Sequence, residues 1–351
     1  MNVRSDQNLS MLCDFYELTM GNGYFRNGYK DRITYFDLFF RQVPDGGGFA
    51  IAAGLEQVVE YITNLHFSDE DIEYLRSRNI FCEEFLQYLR NFRFTGDIWA
   101  VPEGTPVFPR EPLITVRAPA IEAQLVETYL LLAVNHQSLI ATKASRIVRA
   151  AQGRAVMEFG SRRAQGADAA ILGARAAYIA GCSGTACTIS DQLYGVPALG
   201  TMAHSWVQMF DSEYEAFRTY CESYPTNAVL LVDTYNTLKS GIPNAIRAFN
   251  NVLKPMGITK CGIRLDSGDM AYLTKEAAAC STRRAGRAAP SPAPTRSTNI
   301  SFRTCCCRAR VSTPSASASG SSPPRASRCS AACTSSSPSS VNRARSSRRS
   351  R

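Results

Sequence analysis

The sequence predicts an α/β fold built on parallel strands, and three observations carry that prediction. From Gly153 onward, short apolar runs alternate with loops and helix-patterned segments, the rhythm of successive strand–loop–helix units. Polar clusters recur just after the apolar runs, where parallel sheets and barrels gather their functional side chains. Neither GxGxxG nor GxxxxGKS/T occurs, which counts against a dinucleotide-binding or P-loop enzyme.

Each element has its own warrant. Apolar residues at helical spacing over 9–20 predict a helix continuing to about Tyr24. Aromatic and β-branched residues over 32–40 predict a strand. Gly46-Gly47-Gly48 marks a turn, and residues 49–51 lead from it into a helix over 55–64. Ser68, followed by Asp69 and Glu70, reads as the N-cap of a helix over 71–76, and a further helix covers 83–91. Segments 97–101, 106–108 and 113–116, punctuated by Gly and Pro, read as a small antiparallel sheet. Residues 121–151 read as helix, broken at Asn135-His136-Gln137-Ser138. Strands are then expected at 155–159, 197–202, 228–232 and 262–265, with Cys182 at a further strand–loop junction. Helices are expected at 166–180, 207–223, 243–253 and from Met270.

A chain of 351 residues allows one large domain or two ordinary ones, with ample apolar sequence for a core. No apolar run approaches the roughly 20 residues of a membrane helix. The N-terminal MNVRSDQNLS lacks a basic-then-apolar signal pattern, so a cytoplasmic setting is expected. Cys13, Cys82, Cys182, Cys187, Cys221 and Cys261 are dispersed among apolar or small neighbours and read as reduced core thiols. Cys182 and Cys187 have neither CxxC spacing nor a nearby His, which disfavours zinc.

Composition changes abruptly at Cys280. The last 72 residues contain no Leu, Lys, Asp, Glu or Tyr, and hold 14 of the 39 basic residues, all arginine. The preceding residues therefore carry 25 basic and 30 acidic groups, a net charge of −5. The overall positive charge belongs to the tail.

Four polar clusters accompany predicted strands. In Phe159-Gly160-Ser161-Arg162-Arg163, two arginines precede a helix, an arrangement suited to phosphate or carboxylate and equally to a solvated loop. His204, in GTMAHS, stands beside Ser205 and suits an acid, base or nucleophile, or a helix cap. Asp233-Thr234-Tyr235 offers a carboxylate to orient an imidazole. In Arg264-Leu265-Asp266-Ser267-Gly268-Asp269, carboxylates suit ribose hydroxyls or hydrated Mg²⁺, or the capping of the next helix. Tyr16 and Phe159 can stack on a planar ring, although most aromatics at such positions are core.

Together, CDFYELTM, FGSRRAQG, GTMAHS, LLVDTYNTLKSGIPNAI and IRLDSGD resemble nicotinate phosphoribosyltransferase, in this order and at compatible spacing, over residues 9–279. The resemblance implies a mixed α/β N-terminal domain (1–120) and an irregular α/β barrel related to the TIM barrel (121–279), here missing its late units. It implies a homodimer that joins nicotinate to phosphoribosyl pyrophosphate, with Mg²⁺ and coupled ATP hydrolysis, giving nicotinate mononucleotide and pyrophosphate. Phe159 would stack on the pyridine ring, with Tyr16 of the partner subunit on its other face. Arg162 and Arg264 would bind the nicotinate carboxylate or nearby phosphates. His204 would be transiently phosphorylated by ATP, with Asp233 holding its imidazole. Asp266 would hold ribose hydroxyls or the Mg²⁺-bound pyrophosphate, with Ser205 and Ser267 as lesser contacts. No protein metal ligand, membrane or specific nucleic acid is implied.

The tail departs from that family, which continues with further βα units and a glycine-containing loop for the 5-phosphate. Three readings compete: a basic RNA-binding arm, a flexible extension, or the right gene in the wrong frame. The third is tested by joining the last base of each codon to the first two of the next. Cys305-Cys306-Cys307 then necessarily yields Leu-Leu, and residues 312–319 permit Asp-Ser-Phe-Gly-Val-Gly-Glu. A globular composition and a Gly-Val-Gly loop return. The expectation is a frameshift near residues 276–279, a disordered tail over 280–351, and an impaired or inactive fragment as written.

Overall fold

The computed structural model describes residues 8–43, 46–285, 301–306 and 332–334. These fall into two compact units, one holding the residues up to Ala198 with 332–334, the other holding Leu199 to Cys306. The boundary expected at 120 lies inside the first unit. There β5 (Ile114–Pro119) runs directly into α5 (Ala120–Leu125), and both pack into one hydrophobic core with α1 (Phe15–Arg26).

The first unit opens with α1, β1 (Ile33–Phe40), β2 (Ala50–Ile51) and the helices α2 (Leu55–Asn64), α3 (Asp69–Ser77) and α4 (Glu83–Arg90). β3 (Asp97–Ala100), β4 (Pro106–Val107) and β5 follow. β1, β5 and β3 form an antiparallel sheet in which Leu38 faces Ile114 and Ile98 faces Val116. Leu38 and Phe40 of β1, with Ile114, Val116 and Ala118 of β5, point alternately inward as period-2 geometry requires. Ser68 caps α3 through a capping box: its Oγ accepts the Asp71 N–H at 3.1 Å, and the Asp71 carboxylate accepts the Ser68 N–H at 2.9 Å.

The remainder of this unit is α6 (Glu127–Ala150), β6 (Met157–Glu158), α7 (Ala167–Ile179), β7 (Gly184–Thr185) and α8 (Thr188–Tyr194), with β6 and β7 parallel. α6 runs unbroken through 135–138, contrary to the break expected there. Gln137 and Ser138 are buried, and Ser138 exchanges two hydrogen bonds with the backbone of Ala53. The polar stretch satisfies buried backbone instead of ending a helix. The strand expected at 197–202 is reduced to a single bridge between Thr185 and Ala198.

In the second unit, α9 (His204–Gln208) and α10 (Glu213–Ser223) replace the single helix expected at 207–223, because Ser212 caps α10 by accepting the Glu215 N–H at 3.2 Å. β8 (Val229–Leu231) and β9 (Lys260–Leu265) are parallel, with Leu230 opposite Ile263. Between them runs a helical segment over 237–253 whose middle is α11 (Ile242–Ala248). Gly241 is required there: a Cβ on it would lie 1.9 Å from the Val232 carbonyl oxygen, so no side chain fits between the helix and the end of β8. α12 (Met270–Ala285) continues past the compositional break.

β10 (Ser301–Cys306) pairs parallel to β9, and β11 (Ala332–Thr334) pairs antiparallel to β1. Both segments were expected to be disordered. A strand edge presents main-chain groups that any extended segment can bond, whatever its side chains. The rest of the tail, from 286, lies outside the described residues. The architecture is mixed α/β, with a parallel component in each unit. Cys13, Cys82, Cys182, Cys187, Cys221, Cys261 and Cys280 are free, and no described helix is long and apolar enough to cross a membrane.

Candidate active site

In the second unit, two strand exits and a helix start converge. His204 is the first residue of α9, Asp233 and Thr234 follow β8, and Asp266 and Ser267 follow β9. The His204 Nδ1 lies 3.1 Å from the Thr234 hydroxyl, and its Nε2 lies 3.7 Å from Asp266 Oδ2. Asp266 Oδ1 is 3.3 Å from the Arg264 guanidinium, which also donates to the Thr201 hydroxyl at 2.9 Å. The result is a run of polar groups, Arg264–Asp266–His204–Thr234. Arg264 is largely buried, with 13% of its side chain exposed, whereas Asp266 and His204 are 36% and 41% exposed.

Asp233 does something other than hold the imidazole. It is buried, and its Oδ2 accepts the Asp266 N–H at 2.8 Å and the Ser267 hydroxyl at 2.7 Å. It therefore fixes the exit loop that presents Asp266, and the contact to His204 Nδ1 falls to Thr234. Asp233 Oδ1 is buried with no hydrogen-bond partner. Ser267 is thus drawn into the cluster, while Ser205, the second residue of α9, is exposed.

The other expected residues stand in the first unit. Phe159 is half-buried just after β6, and Glu158 before it is buried, accepting the Gly160 N–H and, at 2.6 Å, the Thr185 hydroxyl. That carboxylate shapes the turn from β6 into the short helical turn Ser161–Arg163. Arg162 and Arg163 are exposed and make no ion pair among the described residues. They precede α7 by a loop and do not lie on its first turn; Gly166 at φ 106° makes the bend. Tyr16 is on α1, 42% exposed, and its phenol is hydrogen-bonded to Glu127.

Thr234, Thr201 and Glu158 were not singled out from sequence as contacts. Each adjoins a residue that was, but nothing in a linear string says which neighbour turns its side chain inward. Among the described residues no group of three or more His, Cys, Asp or Glu is placed to hold a metal. Asp266 is engaged by Arg264, and Asp233 offers one enclosed oxygen, so the donor set does not fit a resident Mg²⁺. What the cluster offers is an imidazole held on one nitrogen, a carboxylate beside the other, and a guanidinium behind it. Such a set can accept a transferring group or a proton and stabilise developing charge.

Residues 11–135 match the family model described as the nicotinate phosphoribosyltransferase (NAPRTase) N-terminal domain. Over 266 residues the chain is 45% identical to nicotinate phosphoribosyltransferase pncB2 of Mycobacterium tuberculosis, a match covering 76% of this chain and 56% of that protein. It is 47% identical over 274 residues to nicotinate phosphoribosyltransferase of Bacillus subtilis, covering 78% of this chain and 55% of that protein. The structure is similar to that of human nicotinic acid phosphoribosyltransferase, with a TM-score of 0.72 and 31% identity, covering 78% of this chain and 65% of the human one. The chain spans just over half the length of the curated relatives it matches.

Proposed function

We propose that this chain, which belongs to the nicotinate phosphoribosyltransferase family, transfers a phosphoribosyl group to nicotinate when its reading frame is intact. The products are nicotinate mononucleotide and pyrophosphate, a step of NAD salvage. The observation that carries this reading is the Arg264–Asp266–His204–Thr234 run at the ends of parallel strands.

In the transfer, the pyridine nitrogen forms a bond to the ribose anomeric carbon as the bond from that carbon to pyrophosphate breaks. Positive charge develops on the sugar and negative charge on the leaving group, and fixed charges nearby lower that barrier. Asp266 is suited to the ribose side and Arg264, which steadies it, to the anionic side. His204 would accept the terminal phosphoryl group of ATP, releasing ADP, and water would later take that group from the ring nitrogen. Mg²⁺ is read as part of the polyphosphate substrates. Phe159 and Tyr16 would bracket the pyridine ring and Arg162 would bind an anionic group. A TIM-like barrel, a homodimer sharing Tyr16 and a cytoplasmic setting belong to the same reading and rest on the resemblance alone.

The tail is read as an out-of-frame translation beginning near residues 276–279, because composition changes within one helix while out-of-frame text restores leucines and a glycine loop. Two chains test both parts: the one written, and one with the frame restored. Nicotinate mononucleotide formation from nicotinate, phosphoribosyl pyrophosphate and Mg²⁺·ATP is expected only from the restored chain. Full activity of the written chain would refute the account of the tail, and inactivity of a folded restored chain would refute the function.

A further inference from the structure

We infer that Glu213 is a positioning residue for His204, acting through the two elements that pack on α10. A carboxylate at the first position of a helix ordinarily faces water, where the helix N-terminus favours it. Glu213 is instead 6% exposed. Its Oε2 accepts hydrogen bonds from the Ser240 hydroxyl and, at 3.0 Å, from the Asn244 amide. Its Oε1 is buried with no hydrogen-bond partner. A half-satisfied buried carboxylate is costly, so its retention points to what it holds in place.

Both donors lie on the helical segment that begins three residues after Thr234, the residue whose hydroxyl meets His204 Nδ1. That segment has little freedom elsewhere. Asn236 accepts the Lys239 N–H at 2.8 Å, and Gly241 is pressed against the Val232 carbonyl at the end of β8. Further along the same face of α10, three and seven residues after Glu213, the helix that His204 opens is held. The Trp206 indole N–H donates to the Ala216 carbonyl at 3.1 Å, and its ring meets Tyr220 edge-on with centroids 5.8 Å apart. One helix therefore fixes both partners of the His204–Thr234 contact, and Glu213 is the polar link to the Thr234 side. Without it the segment that follows Thr234 loses its polar tie to α10, the helix that also holds α9. A shift of well under an ångström is enough to lengthen a 3.1 Å hydrogen bond beyond use.

The inference rests on the reading of His204 as the reactive side chain, but its test does not depend on activity. The chain has three histidines, His66, His136 and His204, so imidazole ¹⁵N resonances can be followed individually in the full 351-residue chain. Glu213→Ala is expected to move the His204 ring-nitrogen resonances toward those of Thr234→Val, which lacks the hydroxyl, while His66 and His136 stay fixed. Glu213→Gln, which keeps an acceptor for Ser240, is expected to restore them. Asn244→Ala, a milder lesion, should move His204 the same way by less. In the frame-restored chain Glu213→Ala should lower kcat about tenfold with the KM for nicotinate unchanged. Unmoved His204 resonances in folded Glu213→Ala and Asn244→Ala, or equal movement of all three histidines, would overturn the inference. Absence of turnover in the restored parent, with His204 still moving, would instead count against the proposed function and leave Glu213 in its role.

Discussion

Each unit of this protein contains a cluster of charge, and the two are built on opposite terms. In the first unit Arg175 is 9% exposed and donates to Glu103 at 2.9 and 2.6 Å, to Gln137 at 3.3 Å and to Glu56. Glu103 also accepts the Gly54 and Leu55 N–H groups at 2.6 and 3.1 Å, so Arg175 and Glu103 are enclosed and matched by donors and acceptors, with only Glu56 open to water. In the second unit, the His204–Asp266 and Arg264–Asp266 pairs stand at 3.7 and 3.3 Å, Asp266 and His204 are partly open, and Asp233 and Glu213 each keep a buried oxygen unbonded. A closed cluster has nothing left to offer a substrate and serves the fold. An open one, with spare acceptors and water-facing charge, carries a stability cost and, under the proposed function, keeps acceptors for a substrate.

Substitutions that separate stability from turnover put this contrast under pressure. The largest effect is expected from His204→Asn in the frame-restored chain. ATP-dependent product formation should fall by about 10²–10⁴, while the unfolding free energy from urea titration changes by no more than about 0.5 kcal/mol. A comparable loss of stability would make His204 structural. Arg175→Ala should do the reverse, destabilising by about 3–5 kcal/mol because Glu103 would remain buried and uncompensated. Chemical denaturation at neutral pH measures it, and a change below about 1 kcal/mol would show that the closed cluster is not holding the fold.

The pH dependence of the first unit sharpens the comparison. Glu17 is buried on α1, its Oε1 accepting the Thr128 hydroxyl at 2.6 Å and N–H at 3.2 Å and its Oε2 unbonded. Burial above all, partly opposed by the Thr128 hydroxyl and reinforced by nearby Glu127, pushes its carboxyl up to about 7. The folded state therefore binds the proton more tightly than the unfolded one. Its contribution is fully present below the unfolded value near 4.5 and is lost as pH rises to about 7. Glu17→Gln should be the more stable protein at pH 8, by up to roughly 3 kcal/mol, with the difference vanishing toward pH 4. Glu103 runs the other way. Burial raises its carboxyl, but Arg175 and the Gly54 and Leu55 amides outweigh it, and the net shift is downward. Its contribution is present above the unfolded value and is lost as pH falls through the lowered one. Removal of Arg175 should accordingly flatten the acid limb of a stability–pH curve. The smallest effect is expected from Ser267→Ala, which removes one hydrogen bond to Asp233 and should cost about 1 kcal/mol.

Much of this was legible in the sequence, where local chemistry decided the outcome. Ser68 with Asp69 and Glu70 announced a capped helix, and the aromatic and β-branched run of β1 announced a strand. LLVD and IRLDSGD placed carboxylates at strand ends because apolar runs stop where the chain leaves the sheet. Tertiary facts were harder to see. Arg175 sits in an alanine-rich helix whose pattern gives no hint of a buried ion cluster. Gln137 and Ser138 looked like a helix break because a linear reading cannot tell buried polar partners from solvent. The swap between Asp233 and Thr234 at the imidazole is a matter of which way adjacent side chains point after a three-residue strand. Glu213 fell inside the single helix expected over 207–223, and nothing in that pattern singled it out before its burial was seen.

The measurement that bears most directly on the central claim is ATP-dependent phosphorylation of the frame-restored chain, followed by peptide mapping under conditions that preserve phosphoramidates. An acid-labile phosphoryl group on the peptide containing His204, absent from His204→Asn and unaffected in folded Arg175→Ala protein, is the expected result. Labelling that persists in His204→Asn, or folded restored protein that forms nicotinate mononucleotide with ATP at the same rate with and without His204, would contradict it.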